Sequence, residues 1–71
     1  MLVGKVKFYN SSEGYGCIVN LDGREVYFHY TALSEMGIDR ELSPGLSVAY
    51  DLIETRMGPE ASNVRRAAPY I

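Results

Sequence analysis

The sequence predicts an all-β fold built from short strands. Gly and Pro recur along the 71 residues and leave stretches that are mostly shorter than ten residues, which is the length of strands. No longer stretch keeps a helical period. A domain of this size buries only about 60% of the surface that its unfolded chain exposes, so we expect the strands to close into a barrel without exposed sheet edges.

The first three strands are predicted from runs rich in Val, Ile, Phe and Tyr. They cover residues 3–10, 15–21 and 25–30. Asp22-Gly23 lies between the second and third runs, and Asp-Gly is favoured in tight type I′ hairpin turns. We therefore expect a hairpin with these two residues at its tip.

The second half of the chain predicts two more strands. Residues 34–44 are polar and mixed, which indicates a connecting loop, with one helical turn after Thr31. Apolar and polar positions alternate over residues 46–53, residues 57–59 predict a turn, and residues 61–67 form a short last strand. The prediction is a five-stranded antiparallel Greek-key barrel of the OB-fold type.

Composition limits the classes of protein to which the chain can belong. We expect residues 1–71 to form a single domain, and its formal charge of −2 with a pI near 5.2 excludes a globally basic protein but not a local basic patch. A lone cysteine, Cys17, forms neither an internal disulfide nor a cysteine metal cage. With no apolar run of membrane-spanning length and no signal-peptide pattern, we expect a cytoplasmic protein without a membrane partner.

The alternation of the two hairpin strands divides their side chains between two faces. The apolar side chains that we assign to the core are those of Ile18, Val26 and Phe28. The opposite face then carries Tyr15, Cys17, Tyr27 and His29. On adjacent strands, opposed side chains lie about 5 Å apart, so the rings of this face form a cluster.

Aromatic rings beside Lys5 and Lys7 have the chemistry of a platform for single-stranded nucleic acid. Unstacked bases lie on aromatic faces, while ammonium groups meet the phosphates. From this pattern alone, a binding face and an ordinary tyrosine-bearing surface are equally good interpretations. Two exposed lysines, and likewise Arg65-Arg66, are more often simply solvated.

Catalysis is not expected. His29 is the only histidine, and no pair of carboxylates stands at an informative spacing from it, so neither general base catalysis nor a metal site is indicated. Gly14-Tyr15-Gly16 lacks the further glycine of a phosphate-binding loop, and Cys17 lacks a cluster of cations that would make its thiol reactive. We expect no cofactor, no metal and no small-molecule substrate.

Four separated segments, in order and near the usual spacing, resemble the cold-shock domain family. They are Lys5-Val6-Lys7-Phe8-Tyr9-Asn10, Glu13-Gly14-Tyr15-Gly16-Cys17-Ile18, Val26-Tyr27-Phe28-His29-Tyr30-Thr31-Ala32-Leu33 and Gly58-Pro59-Glu60-Ala61-Ser62-Asn63-Val64. The second and third correspond to the two ribonucleoprotein motifs of that family.

The resemblance implies a barrel that binds single-stranded RNA or DNA with little sequence preference and often acts as an RNA chaperone. It assigns the main contacts to Lys7, Phe8, Tyr15, Tyr27, His29 and Tyr30, and lesser contacts to Lys5, Asn10, Cys17 and Ile38. Strict alternation would place Phe8 on the same face as Val6, so an outward Phe8 requires a bulge or bend in the first strand.

The chain departs from the family pattern at four positions. Phe8 replaces the usual Trp, Glu13 replaces a Lys, Cys17 replaces a Phe, and Ile38 stands near the place of a loop aromatic. Since the loss of one stacking ring costs about 1–3 kcal/mol, we expect weaker binding than in a member with the full motif.

These departures leave two other interpretations open. One is a divergent barrel that serves as a protein-interaction module, and the other is an OB domain of the translation-factor kind. We expect a monomer, although the 34–44 loop is a candidate hinge for a domain-swapped dimer.

Overall fold

Five strands form a closed barrel in the computed structural model, which describes residues 2–67. The strands are β1 (Leu2–Asn10), β2 (Tyr15–Asn20), β3 (Glu25–His29), β4 (Ser47–Thr55) and β5 (Gly58–Arg66). Two 3-10 turns, Tyr30–Ala32 and Ile38–Arg40, lie between β3 and β4. Around the barrel the order is β1-β2-β3-β5-β4. The predicted five-stranded barrel is confirmed.

One pair of strands differs from the antiparallel prediction. β3 and β5 meet in parallel, with Tyr27 opposite Glu60, whereas the other neighbouring strands run antiparallel. This parallel contact closes the barrel and places β5 beside the outward face of β3.

The core contains the side chains that alternation assigned to it. Ile18 and Phe28 are at most 1% exposed, and Val26 is 8% exposed. The cluster that they form also contains Val6, Ile38, Val48, Tyr50, Ala61 and Val64. Alternation therefore identifies the inner face of the hairpin correctly.

A β-bulge in β1 reverses the alternation at Lys7. Val6 lies opposite Ile18, but the next paired residue is Phe8, which lies opposite Cys17. Lys7 is the extra residue between them, so Lys7 and Phe8 both face outward. The bulge that an outward Phe8 requires is present.

Gly16 allows β2 to pass close to the neighbouring strand and the core. A Cβ at this position would lie 2.6 Å from Cζ of Phe28 and 2.7 Å from the carbonyl oxygen of Phe8. Beyond the bulge, Tyr9 lies opposite Gly16, and its ring stacks on Phe28 with centroids 5.9 Å apart and planes 4° apart. Only a residue without a side chain fits there.

The prediction of a type I′ turn at Asp22-Gly23 is wrong. That turn needs a positive φ at both central residues, but here only Gly23 has one, at 93°. The loop is longer, because the amide of Gly23 donates to the carbonyl of Asn20 and that of Arg24 donates to the Asp22 carboxylate.

The predicted bounds of the last two strands also need correction. Gly58 and Pro59, which were expected in a turn, already belong to β5, and the turn is at residues 56–57. In β4, a register shift between Ala49 and Asp51 interrupts the alternation, and Leu52 is 47% exposed rather than buried.

Arg66, at the end of β5, forms side-chain hydrogen bonds with the loop between β3 and β4. Its guanidinium donates to the carboxylates of both Glu35 and Glu41, at 2.5–2.8 Å. Arg66 therefore has a structural role in addition to the solubilising one expected. Within residues 2–67 there is no helix long and apolar enough to cross a membrane.

Candidate nucleic-acid interface

Five aromatic side chains lie on the outward face of β1–β3 and on the turn that follows, and we call them the aromatic face. They are Phe8, Tyr15, Tyr27, His29 and Tyr30. The three tyrosines are 39–55% exposed. All five were assigned from the sequence, and the fold brings them together.

Three rings of the aromatic face, those of Phe8, Tyr15 and Tyr27, lie within contact range of one another. The centroid of Phe8 is 5.8 Å from that of Tyr15 and 6.3 Å from that of Tyr27, both in edge-on geometry. Tyr15 and Tyr27 lie 6.4 Å apart with planes only 26° apart. Such neighbouring rings present adjacent flat surfaces on which successive bases can stack.

His29 and Tyr30 extend the aromatic face where β3 ends. Nδ1 of His29 lies 3.0 Å from Oγ1 of Thr31, and the amide of Tyr30 donates to the carbonyl of Gly14 at 2.8 Å. The two rings are 4.6 Å apart. The carbonyl of Gly14 thus fixes the backbone from which Tyr30 projects.

A surface cavity of about 370 Å³ adjoins the aromatic face. It is lined by Tyr15, Tyr27, Phe28, His29, Met57 and Glu60. Sequence reasoning missed Met57 and Glu60, which come from the turn between β4 and β5 and from β5 itself. They reach the site only through the parallel pairing of Tyr27 with Glu60, for which the sequence carries no local signal.

Lys7, the expected cationic contact, is already paired with an acid. Its Nζ donates to Oε2 of Glu25 at 2.6 Å, and both side chains are about half exposed, at 50% and 43%. The hydrogen bond and the charge of Glu25 raise the pKa of Lys7 above its usual value. Lys5 is exposed on the same strand, opposite Val19. Any phosphate that binds Lys7 therefore competes with Glu25.

Cys17 lies on the outward side of the sheet, yet it is 0% exposed. The register places it between Phe8 and Tyr27, and its Sγ is 3.9 Å from Oε1 of Glu25. Burial, followed by the charge of Glu25, raises the pKa of the thiol. Alternation chose the face correctly, but neighbouring side chains cover the sulfur, so the assignment of Cys17 as a contact is corrected.

Ile38 is also inaccessible, contrary to the expectation of a lesser contact. It is 1% exposed and packs in the core cluster, because the 3-10 turn that it begins directs an apolar side chain inward. Asn10, also expected as a lesser contact, shapes a turn beside the site. Its side-chain oxygen accepts hydrogen bonds from Ser12 and from the amide of Glu13, which shapes the turn between β1 and β2. Glu13 itself is exposed beside the site.

Among the residues that the structure describes, no three His, Cys, Asp or Glu side chains come together in an arrangement that could hold a metal ion. The aromatic face presents flat aromatic rings, and two lysines lie on β1, the strand that carries Phe8.

Comparison with known proteins gives relatives that share nearly the whole length of the chain. It is 36% identical over 61 residues to cold shock-like protein CspC of Bacillus cereus, which covers 86% of this chain and 92% of that protein. It is 39% identical over 61 residues to cold shock protein CspD of Bacillus subtilis, with 86% and 91% covered. It is 35% identical over 68 residues to the major cold shock protein of Streptococcus pyogenes, with 96% and 100% covered.

The model of one protein family matches all of the residues that the structure describes. This is the 'Cold-shock' DNA-binding domain, which matches residues 2–67 and therefore includes all five strands and the aromatic face. The chain belongs to the cold-shock domain family and is a nucleic-acid-binding protein of the cold-shock type.

Proposed function

We propose that this chain binds single-stranded RNA or DNA by stacking bases on the aromatic face, with little sequence preference, and acts as an RNA chaperone or cold-shock-type regulator. The observation that carries the proposal is the continuous set of outward rings, with Phe8 turned outward by the bulge at Lys7. Bases in a duplex are stacked on one another, so a platform of this kind accepts unpaired strands.

The balance of forces on this face favours stacking over charge. Lys5 and Lys7 are the lysines on its first strand, and Lys7 is paired with Glu25. For two or three phosphate contacts to a single strand, log K falls with log salt at a slope of about −1.4 to −2. Binding therefore depends only weakly on salt, in accord with the net charge of −2.

The direct test is a titration followed by tyrosine fluorescence, which is available because the chain has six Tyr and no Trp. A short pyrimidine-rich strand should bind and its duplex should not. Equal binding of both, or no binding of either at high micromolar concentration, would refute the proposal.

Tyr27 is the most informative residue to change. It lies in the middle of the aromatic face, and truncation to Ala should weaken strand binding about five- to 150-fold, the equivalent of one stacked base. Leu52→Ala is the matched control, because Leu52 is similarly exposed, at 47%, but lies on β4 outside the aromatic face. Equal losses for the two variants would contradict the assignment.

The aromatic face is formed within one chain, so we propose that the monomer is the binding unit. Light scattering with and without a bound strand tests this directly. The interpretation as a protein-interaction module rests on Glu13, Cys17 and the acidic balance of the chain, and family membership does not favour it. A pull-down from lysate distinguishes the two, because partners captured through nucleic acid are lost after nuclease treatment.

A further inference from the structure

Glu60 places a carboxylate beside the aromatic rings. It lies opposite Tyr27 across the parallel contact of β3 and β5, and it lines the same cavity as Tyr15 and His29. The cavity is otherwise mainly apolar, with Met57, which is 90% exposed, at its edge. A base stacked on Tyr27 therefore has its edge near this carboxylate.

The Glu60 carboxylate lies beside a hydroxyl group of its own hairpin. Oγ1 of Thr55 lies 3.4 Å from Oε2 of Glu60 and donates to the carbonyl of Gly58 at 2.8 Å. Within residues 2–67, no other side chain donates to Glu60, and no Lys or Arg forms a salt bridge with it. Its acceptor capacity is available to a ligand.

A carboxylate next to a stacking ring discriminates between bases by hydrogen-bond polarity. An ionised glutamate accepts hydrogen bonds and donates none. The N4 amino group of cytosine donates to such an acceptor, whereas uracil and thymine carry a carbonyl oxygen at the same position, which a carboxylate repels. Their N3–H donor lies between two carbonyl oxygens, so a carboxylate that approaches it also meets that repulsion.

We infer that Glu60 is a specificity-determining residue that favours bases with an exocyclic amino group, cytosine over uracil or thymine, at the position stacked on Tyr27. The inference rests on the proposed function, because it needs a strand bound on the aromatic face. It adds a base preference that stacking alone does not supply.

The experiment compares dC6 with dU6, which have equal length and charge and differ at the amino or carbonyl group of position 4 and at the N3 proton. The dissociation constants of both strands are measured for the unmodified protein and for Glu60→Gln. The amide of glutamine can donate to the uracil carbonyl, so the preference for dC6 over dU6 should fall by about fivefold, the effect of one hydrogen bond. Removing a negative charge also strengthens the binding of both strands, but this cancels in the ratio.

Asp39→Asn is the control for charge alone. Asp39 is exposed on the 3-10 turn in the loop between β3 and β4 and does not line the cavity, so its removal should leave the ratio unchanged. If both strands bind and Glu60→Gln leaves the ratio as it was, or if Asp39→Asn changes the ratio equally, the inference is overturned while the proposed function stands. If neither strand binds the unmodified protein, both fail together.

Discussion

The pairing of Lys7 with Glu25 makes a quantitative prediction about salt dependence. In the folded protein, Nζ of Lys7 lies 2.6 Å from Oε2 of Glu25, so a phosphate that binds Lys7 competes with this carboxylate. Substitution of Glu25→Gln removes this competing anion and leaves the strand and the bulge in place. Lys7 then becomes a full phosphate contact.

The expected magnitude follows from counterion release. Each phosphate neutralised on a single strand adds about 0.7 to the slope of log K against log salt, so the slope for Glu25→Gln should be steeper by about 0.7. Between 50 and 200 mM salt, a difference of 0.7 in slope corresponds to about a 2.6-fold larger loss of affinity. At the low-salt end, Glu25→Gln should bind more tightly than the unmodified protein, because a repelling charge has also been removed.

The assay is a salt series of fluorescence titrations with one pyrimidine hexanucleotide. Asp39→Asn again provides the control, since it removes one exposed acid from the loop between β3 and β4. It should leave the slope unaltered. Equal slopes of log K against log salt for the unmodified protein and Glu25→Gln would refute the view that Glu25 competes with phosphate for Lys7.

Three further predictions concern stability and the buried thiol. Gly16→Ala should lower the free energy of unfolding by about 1–3 kcal/mol in urea titrations, because the new Cβ would lie 2.6 Å from Cζ of Phe28; an unchanged midpoint would contradict the close packing. Hydrogen bonds from Arg66 lower the pKa of Glu35 below its usual 4.5, so this contribution to stability is present above pH 4.5 and lost as pH falls through the lowered value. Urea titrations at pH 7 and pH 3 should therefore show a smaller acid effect in Glu35→Gln, and equal acid sensitivity would disprove the linkage. Burial raises the pKa of Cys17, so a thiol-specific disulfide reagent at pH 8 should react slowly with the native protein and fast in urea; equal rates would show that the sulfur is accessible.

The faces of the hairpin strands could be predicted from the sequence because alternation is a local property. In a strand, successive side chains point to opposite sides, so the positions of Phe28 and Tyr27 relative to each other follow from their being neighbours. The same rule identified Ile18 as core and Tyr15 as outward. The number and length of the strands predicted the barrel, and the resemblance of four segments then supplied the family.

Access to solvent could not be predicted by the same rule. Cys17 is on the predicted face but is covered by its neighbours, and Ile38 lies in a loop yet packs in the core. Both outcomes depend on which side chains from other elements lie nearby. Alternation along one strand carries no information about them.

The sequence by itself therefore determined the strands of the hairpin, the inward and outward sides of that hairpin, and most of the aromatic face. Only the tertiary structure decided three features of the site. They are the bulge at Lys7, the ion pair between Lys7 and Glu25, and the position of Glu60 opposite Tyr27. Each joins groups that are distant in sequence or depends on a register between strands. Such contacts are set by closure of the whole barrel, whereas the period of a strand is set by its own backbone.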